Sequence, residues 1–260
     1  MQNSAMRRAA SRCLPLVLVS IGLLCAGRAG AAGSVGVGAQ SLGPEISCEY
    51  SFPAPVLSAA GGLTRVEIDG LERRVRAGEP VLPVYDARIV IPFGKRIRDI
   101  SISPVDERQL PGRHAVEHGQ RPFPLSRPDL FEPTDRNEDI YRSAEVFPAA
   151  RGSEVDIQRK HGFALLIVRL FPVRYEPAAG RLTFAPRLRL RVFLEEDPSG
   201  GMTAAAAIPH SSRAADRRQV AALVDNPADI DSYAAVSSRF VTQQVDLPPG
   251  DYEHVIITTE

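Results

Sequence analysis

Polar and apolar positions alternate most strictly over residues 187–194 (RLRLRVFL), with Leu188, Leu190, Val192 and Leu194 on one parity and Arg187, Arg189, Arg191 and Phe193 on the other. Successive side chains of a strand point to opposite faces, so the leucines are expected inside and the arginines in water. Upstream, 163–175 (FALLIVRLFPVRY) is a continuous apolar stretch, followed by the turn-like 176–180 (EPAAG). Together with the return segment 181–194 this pattern predicts one long hairpin. Shorter strand-like segments precede it at 63–69 (LTRVEID), 72–76, 86–92 (DARIVIP) and 97–103 (IRDISIS), the last alternating strictly only toward its end. Residues 32–43 (AGSVGVGAQSLG) have little to bury. They read as part of a mobile leader over 32–45, with order beginning near Ile46.

The periodicity fails in three places. Residues 110–148 carry Pro111, Pro122, Pro124, Pro128, Pro133 and Pro148 among many charges. That predicts a long excursion without regular structure, and such excursions are usually functional or disordered. Residues 211–225 (SSRAADRRQVAALVD) read as a helix, with Ser212 as N-cap and Asn226-Pro227 as a stop. Ala215, Val220, Leu223 and Val224 make it only loosely amphipathic, which fits a linker helix better than a core helix. Finally, Val255-Ile256-Ile257 is a buried-type strand run after the turn-like Pro248-Pro249-Gly250, and the polar stretch before it supplies no neighbours. The pattern as a whole predicts an all-β chain. A β-sandwich-like domain spans 46–197 with one long irregular loop, a linker with a short helix spans 198–250, and one isolated strand spans 251–260.

Composition agrees: 22 Pro and 20 Gly in 260 residues, 6% aromatics and no Trp favour short strands and turns over long helices. Residues 1–31 stand apart. Arg7, Arg8 and Arg12 form a basic region, 14–26 (LPLVLVSIGLLCA) an apolar one, and Ala29-Gly30-Ala31 a small-residue site, together a secretory signal cleaved after Ala31. The apolar run is shorter than the ~20 residues a membrane span needs, so no stable membrane anchor is expected. A lipoprotein signal at Cys25 is disfavoured by the bulky Leu24 before it. Signal removal takes four arginines (Arg7, Arg8, Arg12, Arg28) and no acidic residue from a chain with 31 of each sign. The exported chain is slightly acidic, which argues against a nucleic-acid partner.

Cys13 and Cys25 leave with the signal, and Cys48 remains alone. Neither an intramolecular disulfide nor a cysteine metal cluster can then form. Cys48 reads as a small buried apolar residue; a hydrolase using it as nucleophile is the weakest of the readings, because no histidine lies in a nucleophile context and no Gly-x-Ser-x-Gly elbow occurs. His114 and His118 are spaced i, i+4 but lack a following Glu and lie between Gly112 and Gly119, so they read as a solvated loop pair rather than metal ligands. No metal and no cofactor are expected. Arginines in irregular segments, among them Arg127, Arg136, Arg142, Arg213, Arg217, Arg218 and Arg239, stand where proteases cut. A guanidinium can also reach into a carboxylate-floored pocket.

Several segments together resemble the propeptide region of gingipain-type secreted cysteine peptidases. The first is 77–92 (AGEPVLPVYDARIVIP), extended by Gly94 and the 97–103 strand. The second is 141–175, with Tyr141, the Pro148 region, Gly162 and the closing Pro172-Val173-Arg174-Tyr175. The third is the turn Glu176-Pro177 to Gly180-Arg181-Leu182 with its return strand, and the last is 252–259 (YEHVIITT), which is similar to the opening strand of the family's catalytic domain. The resemblance covers 48–260. It implies a β-sandwich-like prodomain that assists folding, keeps the zymogen latent and is cut away. The chain itself would then be no enzyme. Its partners would be the downstream cysteine peptidase domain, whose catalytic Cys and His lie beyond these residues, and a processing protease. The loop with Arg127, Arg136 and Arg142 becomes the candidate inhibitory loop, and Arg213, Arg217, Arg218 and Arg239 the candidate processing sites. A stand-alone secreted β-sandwich adhesion or binding module is the alternative reading.

Overall fold

The structure is a computed structural model, and it describes residues 35–198 and 214–236. Strands are numbered in chain order. One antiparallel sheet has the order β1 (Gly36–Leu42), β2 (Glu45–Ser51), β13 (Arg187–Glu196), β7 (Lys95–Val105). The alternating segment is its centre: Leu188, Leu190, Val192 and Leu194 are buried, as their parity predicts. Leu188, Leu190 and Val192 lie opposite Tyr50, Cys48 and Ile46 of β2, and Leu190 and Val192 also lie opposite Ile102 and Ile100 of β7. Cross-strand pairs of this kind are the unit of sheet stabilisation.

The second sheet has the order β5 (Glu72–Arg74), β6 (Leu82–Val90), β10 (Phe163–Leu170), β9 (Gly152–Lys160). β10 is apolar throughout because both of its faces are covered. Ala164, Leu166, Val168 and Leu170 face the core shared with the first sheet, packed with Ala87, Ile89 and Ile91. Phe163 and Leu165, together with Val90 of β6, face a second, smaller core. β9 buries almost nothing, and its row of charges suits an exposed edge, which is why it left no periodic signal.

The predicted long hairpin is corrected by the structure. Only its tip pairs with itself: β11 (Val173–Glu176) lies against β12 (Arg181–Phe184), and β8 (Arg108–Gln109) joins them. The long arms part at Pro172 and Pro186, residues without an N–H to give a ladder. There Ala185 N–H donates to Pro172 O (2.8 Å) and Phe52 N–H to Pro186 O (2.8 Å), and β10 and β13 run on into different sheets. A further hairpin, β3 (Val56–Ala60) and β4 (Leu63–Glu67), completes the β part.

Two further expectations change. Residues 36–42, read as leader, form β1 and pair with β2 along their whole length, from Gly36 opposite Ser51 to Leu42 opposite Glu45, around a turn with Gly43 at φ 60°. Main-chain bonds hold this strand, so its small residues gave no sign of it. The predicted helix is present as α2 (Ala214–Ala221), but it is no free linker element. Val220 and Val224, with Ile230 and Tyr233 from the 3₁₀ stretch Pro227–Val236, pack on Val90, Phe163 and Leu165. The isolated strand expected at 251–260 lies outside the described residues.

Candidate functional site

The proline-rich excursion is anchored by main-chain bonds at its root and is free at its tip. His114 N–H donates to Gly180 O (2.8 Å), Thr64 N–H to Ala115 O (2.7 Å) and Val81 N–H to Glu117 O (2.9 Å). Val116 is thereby fully buried. Gly78 N–H donates to Gly119 O (2.8 Å) and Asn137 N–H to Gly78 O (2.9 Å), so both limbs of the excursion meet one segment. On the returning limb the short helix α1 (Glu138–Tyr141) is capped by Asn137, whose side chain accepts from Asp139 N–H. Tyr141 then crosses back to donate to Val116 O (2.9 Å), and Tyr175 donates to His114 O (2.9 Å). Burial pushes both phenol pKa values up, so they stay protonated donors at neutral pH.

A neck closes the excursion at Thr134. Its N–H donates to Gln120 Oε1 (2.8 Å), its hydroxyl accepts from Arg121 N–H (3.0 Å), and its carbonyl lies 2.8 Å from His118 Nε2, which fixes the proton on that nitrogen. Beyond the neck, residues 122–133 fold on themselves. Phe123 and Phe131 meet edge to face at 5.1 Å, and the backbone turns through Arg127 N–H to Pro124 O (2.9 Å) and Leu130 N–H to Arg127 O (3.0 Å). This tip carries three of the eight large apolar side chains exposed among the described residues: Leu125 at 89%, Leu130 and Phe131. Such a cluster on a projecting loop marks a surface that meets a partner.

The three candidate inhibitory arginines do not act together. Arg127 is on the tip, forked onto Asp129 with Nη2 to Oδ2 at 2.7 Å; this hydrogen bond raises the Arg127 pKa and lowers that of Asp129. Arg136 and Arg142 belong to the returning limb, where both bond Glu138 (2.6 and 3.0 Å), and Arg136 also lies over the Tyr141 ring. Among the candidate processing sites, Arg217 and Arg218 lie within α2, and Arg217 Nη2 reaches Asp231 Oδ1 at 2.5 Å. Arg213, Arg239 and the signal cleavage position Ala31 lie outside the described residues. Cys48 is sealed between β1 and β13, and burial, reinforced by Asp225, pushes its thiol up to about 12. A thiolate nucleophile there would be strongly disfavoured. His114 and His118 each bond a backbone carbonyl, and among the described residues no cluster of metal-binding type occurs. No helix among them is long and apolar enough to cross a membrane.

The sequence gave no warning of the apolar character of the tip, because Phe123, Leu125, Leu130 and Phe131 have no periodicity. It also passed over Asp225 and Asn226 as a helix stop. Asp225 accepts from Tyr50 Oη (2.9 Å) and from Arg88 N–H (3.0 Å), and Asn226 is buried against β6.

No family model matches the chain, and no curated protein matches it. Solved structures do. A structure described as giving insight into the zymogenic latency of gingipain K from Porphyromonas gingivalis aligns with a TM-score of 0.52 at 15% identity, covering 66% of this chain and 97% of that one. A complex of the pro- and mature domains of RgpB from the same organism aligns at 0.49 with 13% identity, covering 62% and 84%. The described chain therefore has an all-β fold of the kind seen in the gingipain K structure.

Proposed function

We propose that this chain is the signal and propeptide part of a secreted gingipain-like cysteine endopeptidase, acting as folding assistant and latency domain for a peptidase that follows it. The observation that carries this reading is the stiff tip at 122–133, projecting with exposed Leu125 and Phe131 and with Arg127 from a fold like that of the gingipain K structure. On this reading the β module docks on the peptidase while the tip covers its cleft. The neck at Thr134 and the fused Phe123 and Phe131 rings limit the entropy lost when the loop is held. The module supplies shape and no chemistry of its own; the peptidase supplies the nucleophile. Residues 1–31 route the product out of the cell, and a processing protease ends latency at an arginine outside the docked elements.

The test joins the chain, from residue 32 to Glu260, to a gingipain-class peptidase domain and follows peptide hydrolysis before and after proteolytic removal of the β module. Latency predicts negligible turnover before and full turnover after. Equal turnover in both states refutes it.

A further inference from the structure

Strand β6 has its 88 and 90 main-chain groups turned away from β10, because Ile91 N–H is the group that donates to Ala164 O of the neighbouring strand. β5 covers that outer edge only at Leu82–Val84. Beyond it the edge is closed by two residues of the 214–236 segment. Asp225 N–H donates to Arg88 O (2.8 Å) and Asp225 Oδ2 accepts from Arg88 N–H (3.0 Å). Asn226 repeats the pattern with its side chain alone: Oδ1 accepts from Val90 N–H (2.7 Å) and Nδ2 donates to Val90 O (2.8 Å). The two residues thus imitate a paired strand. Farther on, Tyr233 Oη donates to Ile91 O (2.7 Å) and accepts from Ala164 N–H (3.2 Å), while its ring lies 4.7 Å from that of Phe163.

We propose that the open edge of β6, with Val90, Phe163 and Leu165 beside it, is a docking site whose ligand is residues 214–236, so that this segment holds whatever follows it to the β module independently of the peptide link through 199–213. The contacts are those of β-edge recognition: main-chain bonds give affinity and flanking apolar pockets give specificity. The inference rests on the propeptide reading for its consequence. A cut at Arg213 leaves the β module bound to the peptidase through the segment, and release requires either undocking or a cut beyond it, as at Arg239. Arg217 and Arg218, helical and docked, are resistant to cleavage until the segment opens.

The test inserts a site for a sequence-specific protease after Gly200 in the full chain, cuts it, and runs the product on gel filtration without any peptidase domain, so that its outcome is independent of latency. The two pieces are expected to co-elute, and excess synthetic 214–236 peptide to displace the cut piece where a scrambled peptide does not. Asn226→Ala combined with Tyr233→Ala is expected to weaken association at least about tenfold, with the melting of the uncut variant recorded first. Separation of the unmutated pieces overturns the proposal, as does a specific peptide that fails to compete.

Discussion

Gly119 sits where the root of the excursion crosses the chain at Arg76, and a Cβ added there would lie 2.2 Å from the Arg76 carbonyl oxygen. Backbone cannot move aside as a flexible side chain can, so Gly119→Ala is expected to cost about 1–3 kcal/mol. Urea unfolding of the variant checks this, and an unchanged midpoint would contradict it. The same residue spoils the sequence case for a His114–His118 helix, and the structure shows why: a glycine is needed for close approach. Cys48 was legible as a buried small residue from its alternation with Ile46 and Tyr50. With its thiol pushed up to about 12 by burial, it is expected to resist thiol reagents at pH 8 in the native chain and to react fully in denaturant. Rapid native labelling would contradict that burial. The role of an arginine was less legible. Arg127, Arg136 and Arg142 look alike in sequence, yet one has its carboxylate partner on the tip and two share Glu138 on the returning limb.

Periodicity located β13 and its inward face correctly, and the reason is simple: one face of that strand is buried and the other carries arginines. It misjudged elements whose stability comes from elsewhere. β1 is held through its main chain, the arms of the supposed hairpin are parted by Pro172 and Pro186, and the 214–236 segment relies on side-chain bonds to β6 that follow no repeat. Burial raises the pKa of Asp225 against the hydrogen bonds that favour its charged form, from Arg88 N–H, Tyr50 and Tyr85. A carboxyl whose folded-state pKa is raised contributes its full stability below its ordinary pKa and loses it as pH rises through the raised value. The groups facing it are Tyr50, Tyr85, Arg88, Cys48 and Asp229, and none of these is a lysine or histidine that would reverse the sign. Docking of the segment is therefore expected to be tighter in mild acid than near neutrality. Hydrogen exchange of 214–236, corrected for the intrinsic pH effect, should show more protection at the lower pH, and Asp225→Asn should flatten the difference. Protection that rises with pH would contradict the assignment.

At the scale of the molecule, two packed antiparallel sheets with an anchored excursion reproduce the all-β class expected from the sequence, and they align over most of the gingipain K chain at an identity too low for residue-by-residue transfer. The fold was legible because strand parity reflects burial. The tip was not, since an exposed apolar cluster on a loop has no period to betray it and gains meaning only once Leu125, Leu130 and Phe131 are seen to share one surface. Such a surface is expected to carry most of the docking, with Arg127 contributing direction. Leu125→Asp with Phe131→Asp should weaken inhibition about tenfold or more, since a few apolar anchors dominate interfaces, and the melting temperature should hold because both side chains are already in water. The most direct measurement is inhibition in trans: the separate 32–260 chain titrated against the peptidase it precedes, with intact and tip-substituted chains compared side by side. The account predicts saturable inhibition by the intact chain and its loss in the tip variant; equal inhibition by both, or none by the intact chain, would contradict it.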